Sequence, residues 1–183
     1  MKQNNKVIAV AIIMIVAAAL SRVVLYPVSF SPLIAMSIFG GAVISDKRFS
    51  LLIPIAAIFL SDVLFEVCNI APGFYGWSQL VNYALLIGIT YCGSYLQKIN
   101  ITTVVSYVLG SCVGFYLLSN TANFFISNPV YKMYPQTVAG YVENMIAGLP
   151  FLKTSLFATA CYAAVFFGAY VLMAKTTLVK KAA

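Results

Sequence analysis

The stretch SPLIAMSIFGGAVISDKRFSLLIPIAAIFLSDVLFE, residues 31–66, decides the fold class. Two apolar runs flank a tight charged turn, Asp46-Lys47-Arg48, and read as two helices joined by a hairpin. Pro32 suits the first turn of a helix, while Gly40-Gly41 predicts close packing or a kink. The second run spans residues 51–66 and tolerates Pro54 near its start.

Working outward, the same pattern recurs. A basic, polar start, MKQNNK, leads into an apolar run over residues 7–25 that Tyr26-Pro27 closes. That run has two readings. Its apolar core and Ala17-Ala18-Ala19 resemble a signal peptide with a cleavage site, but the apolar character continues past Arg22, which favours an uncleaved first helix. Beyond residue 66 comes an aromatic loop, IAPGFYGWSQ, residues 70–79. Further helices are expected at residues 80–96, 101–125 and 154–173. Residues 127–153 are the longest polar stretch, with a short interfacial or re-entrant segment expected around residues 138–147.

The chain has 183 residues, 62% hydrophobic and 8% charged, against roughly 45–50% apolar and about 25% charged in a soluble domain. At about 20 apolar residues per crossing, it holds five or six spans and almost nothing else. The expectation is an all-α membrane protein of about six transmembrane helices, a single integral domain over residues 1–183, with a structured outer loop before the last helix. There is no room for a nucleotide-binding fold and no Gly-rich phosphate loop. With no histidine, the commonest general base and metal ligand is missing; no cofactor, metal or enzymatic activity is expected.

A net charge of +7 could point to nucleic acid, but eight of the eleven basic residues lie in short segments between or beyond the apolar runs. Alternating six spans leaves only Arg22, Lys132 and Lys153 on the other side. The positive-inside rule then makes both termini cytoplasmic and the chain a multi-pass protein of the bacterial inner membrane. The outer loops hold the only Trp and most loop tyrosines, as if built to meet something from outside. Cys68, Cys92, Cys112 and Cys161 are scattered singly, indicating neither a zinc site nor a disulfide framework.

Several residues need a reason to be where they are. Asp62 and Glu66 share one helix face at the outer end of the third span, and an ionised carboxylate at mid-bilayer costs about 2.5–3.5 kcal/mol. Arg22, at similar depth, is the obvious counter-charge. The three form either a structural ion pair or a ligand-facing cluster. Asn82, Asn120 and Asn123 sit at the outer ends of the fourth and fifth spans, as interhelical glue or as ligand contacts. Phe74, Tyr75 and Trp77 are an interfacial belt or, with Gly73 and Gly76 freeing the backbone, a lid to which Tyr134 would also contribute. Cys68 is a tolerated cysteine or a soft ligand for a metal-containing substrate. Small residues at Ser106, Gly110 and Gly114, and at Ala160, Ala164 and Gly168, let helices approach closely.

Arg22 and Pro27, FSPLIAMSIFGGA (30–42), LLIPIAAIFLSD (51–62), PGFYGWSQLVNY (72–83), SNTANF (119–124), YPQTVAGY (134–141) and LPF (149–151) together resemble a family of uncharacterised small bacterial membrane proteins. At greater distance the chain resembles the substrate-binding S components of energy-coupling factor (ECF) vitamin transporters. That likeness implies six helices, cytoplasmic termini, an outward pocket under loops, and ECF transmembrane and ATPase subunits as partners. A cobalamin-binding type in that group uses a cysteine near the outer end of its third helix, so the likeness extends by position to Cys68 and to a corrinoid. The chain departs from the group in lacking an Ala-x-x-x-Ala pattern in its first helix.

The leading expectation is therefore a membrane-embedded binding protein that captures a vitamin-sized solute from the outer face for uptake, through Arg22, Asp62, Glu66, Cys68, Tyr75, Trp77, Asn82, Asn120, Asn123 and Tyr134. The alternative is a structural or assembly factor packed against a larger membrane complex; a small membrane enzyme using Asp62, Glu66 or Cys68 is a third. Topology is checked by single-cysteine variants in a cysteine-free background. Positions 47 and 98 are expected to be shielded from an impermeant maleimide added to intact cells, and position 132 to be labelled; the reverse pattern overturns the orientation.

Overall fold

A computed structural model of the chain describes residues 5–24, 30–74 and 76–182, with side chains from residue 9 to residue 173 of these. Every regular element among the described residues is a helix, without strands: α1 (Asn5–Val24), α2 (Leu33–Val43), α3 (Lys47–Val67), α4 (Trp77–Gly93), α5 (Ile101–Ala122), a π-helical turn (Asn123–Ser127), α6 (Asn128–Tyr131) and α7 (Val138–Ala182). Among them, α3, the unbroken run Ile101–Tyr131 and the Val138–Met173 part of α7 are long and apolar enough to cross a membrane. Shorter apolar helices cover Ala9–Val24 and Leu33–Val43.

The charged turn between the first two quoted runs is a helix start. Asp46 caps α3, its Oδ1 accepting from the backbone N–H of Arg48 at 2.9 Å and of Phe49 at 3.4 Å, so α3 begins at Lys47 rather than at residue 51. A capping carboxylate satisfies N–H groups that the first turn would otherwise leave unpaired.

At 11 residues, α2 is about 16 Å long, half of the roughly 30 Å hydrocarbon layer. It is the centre of the bundle. Nine of its residues are buried, and it packs against α1, α3, α4, α5 and α7. The approach is made by glycine. A Cβ on Gly41 would lie 2.1 Å from the Thr90 carbonyl oxygen, one on Gly93 2.7 Å from that of Ile38, and one on Gly40 2.6 Å from Pro54 Cγ. On its remaining side Phe39 meets Phe166 and Phe167 of α7, with ring centroids 5.2 and 5.3 Å apart.

The polar stretch over residues 127–153 differs from expectation. Residues 138–153 form neither a loop nor a re-entrant segment; they are the first third of α7, a helix of 45 residues with Pro150 inside it. The reason lies in one face. Gly140, Asn144 and Gly148, four apart, are buried, and the Asn144 amide bonds to its neighbours: its Nδ2 donates to the Asn120 carbonyl at 2.9 Å, and its Oδ1 accepts from Asn123 Nδ2 at 3.2 Å. Polarity read as loop composition is used between helices. What remains of the loop is residues 132–137, where buried Asn128 clamps the Tyr134 backbone in both directions, at 2.7 and 2.9 Å. Tyr26 and Pro27 lie outside the described residues.

The glycine contacts carry a measurable cost. Gly41→Ala is expected to lower stability by about 1–3 kcal/mol, the usual penalty of overpacking. Gly110→Ala, with nothing within 4 Å of the added carbon, is expected to leave stability unchanged or raise it by up to about 1 kcal/mol. Detergent-titration unfolding in mixed micelles compares the two, and equal effects would refute the close-packing account.

Candidate functional site

Asp62 has reached the interior: it is 2% exposed. Placing an ionised carboxylate there costs several kcal/mol unless every lone pair finds a donor, and two elements, α1 and α4, supply donors. Arg22, in the last turn of α1, donates to Asp62 Oδ1 and, at 2.7 Å, to Ser61 Oγ. From α4, Tyr83 O–H and Gln79 Nε2 both donate to Asp62 Oδ2, the latter at 3.0 Å. The Arg22 guanidinium also lies over the Phe65 ring, 4.7 Å from its centroid. The expected partnership of Arg22 with a third-helix carboxylate is present, and it is Asp62 that takes it.

Glu66 does something else. Exposed at the end of α3, it accepts the Gly73 backbone N–H at 2.9 Å, while the Gly73 carbonyl accepts Gln79 Nε2 at 2.8 Å. A side chain on Gly73 would meet the Asp62 carbonyl oxygen at 2.0 Å. The aromatic loop is thus strapped down onto α3, with Phe74 packed on Phe59 at 6.0 Å. Trp77 is 75% exposed, and Cys68 is exposed at the end of α3. Neither lines the cavity of Asn82, Asn120 and Asn123, and Phe74 is likewise absent from its wall. Tyr75 lies outside the described residues.

The expected amides do meet. Asn82 of α4, Asn120 of α5 and Asn123 of the π-turn line one cavity of about 450 Å³, together with Ser78, Ser119 and Ser127. Phe115, Met133 and Phe151 supply apolar wall. No charged residue lines it among the described residues, and the carboxylates and Arg22 stand outside it. Tyr134 is half-buried and tied to Asn128 through its backbone; its neighbours Tyr131 and Met133 are the residues of that turn that line the cavity.

The two features share α4. One face of its first turns sends Gln79 and Tyr83 to Asp62, and the adjacent face sends Ser78 and Asn82 to the cavity, where Ser78 and Ser127 hydroxyls lie 2.6 Å apart. On the other side, the cavity wall is fixed by Asn144 and by Tyr116, whose O–H donates to the Met145 carbonyl at 2.5 Å. The π-turn, with one extra residue per turn, lets Asn123 face Asn144. Sequence reading did not single out Gln79, Tyr83 or Asn144. The signal was present in Gln79 and Tyr83, polar residues four apart on the same apolar helix and at the depth of the carboxylates.

Residues 2–181 match the family of unknown function DUF6580, and the chain belongs to it. No curated protein and no solved structure matches.

Asp62→Ala is expected to cost about 3–5 kcal/mol, the price of leaving a buried partner charge uncompensated, and Glu66→Gln much less, since Glu66 is exposed. Adding Arg22→Leu to Asp62→Ala should recover part of the loss. Unfolding measurements on the single and double variants test the coupling, and strictly additive losses would refute it.

Proposed function

We propose that this member of DUF6580 is a membrane-embedded capture protein for an uncharged, vitamin-sized solute, bound between α4, α5 and the start of α7. The observation that carries this reading is the cavity holding Asn82, Asn120 and Asn123. Specific solute sites of roughly 300–1,000 Å³ combine apolar walls with a few placed polar groups, and this one matches in size and lining. Amides and hydroxyls donate and accept hydrogen bonds but offer no counter-ion. A charged solute would be left unpaired there.

The likeness to ECF S components supports the same reading, with both termini at the cytoplasmic side of a bacterial inner membrane. In the topology we propose, the chain makes six passes, and α2 makes the second. Arg22, Asp62, Gln79 and Tyr83 then gather at the outer end, where they hold the α4 wall of the cavity rather than touch the solute. Energy for uptake would come from partner subunits. A corrinoid is much larger than this cavity, and Cys68 stands apart from it, so the proposed solute is smaller.

A second reading, an assembly factor, draws on α5. Only 11% of its spanning window is buried, and Gly110 and Gly114 face open space, a surface a helix of another protein could use.

Native mass spectrometry of protein purified from its own membrane separates the two. Capture predicts a retained small molecule that Asn82→Leu and Asn123→Leu both release, and a stability gain of about 2.7 kcal/mol when that molecule is present at a hundred times its Kd. Retention unchanged in both variants, or copurified subunits with no small molecule, would overturn it.

A further inference from the structure

A second concavity lies between α5 and α7. It is a furrow of about 1010 Å³, lined between Lys153 and Leu172 on α7 and by Ile99, Asn100 and the first half of α5 to Leu109. Its depth comes from small residues: Ala160, Ala164 and Gly168 are exposed along one row of α7, and a Cβ on Gly168 would touch nothing within 4 Å. Val105, Leu109, Phe157 and Leu172 form its rims and are themselves exposed.

One residue in this lining is charged. Lys153 stands at one end, is exposed, and has no acidic partner among the described residues. Its depth is informative. Lys153 and Lys175 are 22 residues apart on one continuous helix with no charge between them, so they are separated by about 33 Å along the axis. That separation is close to the roughly 30 Å thickness of the hydrocarbon layer. Lys153, one to two turns below the level of Asn120, thus heads an apolar furrow, its long side chain able to carry the ammonium up to the membrane surface.

We propose that this furrow is a binding site for one anionic glycerophospholipid of the leaflet opposite the basic C-terminal tail. Its phosphodiester pairs with the Lys153 ammonium and its acyl chains lie over Ala160, Ala164 and Gly168. Charge complementarity favours this occupant. A transmembrane helix would use the small residues equally well, but would have to meet the lone lysine with an acidic residue at headgroup depth. The site is separate from the amide-lined cavity and does not depend on what that cavity binds.

The test uses the full chain in mild detergent, delipidated and titrated with phosphatidylglycerol or phosphatidylcholine of identical acyl chains, with bound lipid counted by native mass spectrometry. One phosphatidylglycerol is expected to be held about fivefold more tightly than phosphatidylcholine, the weight of one lysine at an anionic surface. Lys153→Gln should erase that preference while leaving some binding of both lipids, Lys153→Arg should keep it, and Ala164→Phe should block both. No preference in the natural sequence, a preference that survives Lys153→Gln, or an unchanged lipid count in Ala164→Phe would overturn the proposal. So would a photo-crosslinker at position 164 that captures a polypeptide in the host membrane instead of lipid.

Discussion

A helix buried on all sides can be accommodated only if its neighbours come close enough to leave no void. The centre of this bundle is such a helix. α2 is half the length of a membrane crossing, and its packing depends on backbone meeting backbone at Gly41 with Thr90 and at Gly93 with Ile38. In a membrane, where lipid tails are as apolar as leucine, helix association comes from close packing and interhelical hydrogen bonds rather than from exclusion of water. α1, α3, α4, α5 and α7 take their places around α2, and the Phe39 contacts with Phe166 and Phe167 lock the long last helix to it.

One end of the bundle is organised by charge. Asp62 draws donors from α1 and α4, and those donors satisfy it so completely that the carboxylate is held as a structural joint. A fully satisfied polar network in a low-dielectric interior rigidifies what it connects. Because Gln79 and Tyr83 are one helix face away from Ser78 and Asn82, a joint between α3 and α4 also sets one wall of the amide-lined cavity. Asn144 and Tyr116 set the other. Two polar systems are thus coupled through α4 without sharing a residue.

Parts of this were legible beforehand because the chain offers few options. Arg22 is the one cation near the depth of Asp62, so their pairing follows from the cost of an isolated charge in the membrane. Asn82, Asn120 and Asn123 were placed at one level by counting along helices, and they line one cavity. Glu66, Cys68 and Trp77 shared that level and did not join them. Depth is encoded in sequence, but direction around the helix axis depends on which neighbour each helix meets. Residues 138–153 differ from their local composition for a related reason. Their glycines, asparagine and proline have loop composition, yet Asn144 and Gly148 meet Asn120 of α5 and Gly140 packs on Pro135, contacts that small and amide side chains make better than large apolar ones.

The sequence alone determined the class of this protein: 62% hydrophobic and 8% charged residues leave too little polar surface for a water-soluble globule, and the spacing of its apolar runs calls for helices. It also determined which charges had to be paired, because burial energy allows no alternative. Only the tertiary structure decided that α2 lies at the centre, that α7 continues unbroken through its polar third, and that amides rather than carboxylates line the cavity. Those outcomes depend on contacts between residues far apart in the chain, and a hydrogen bond such as that between Asn123 and Asn144 leaves no mark in either local sequence.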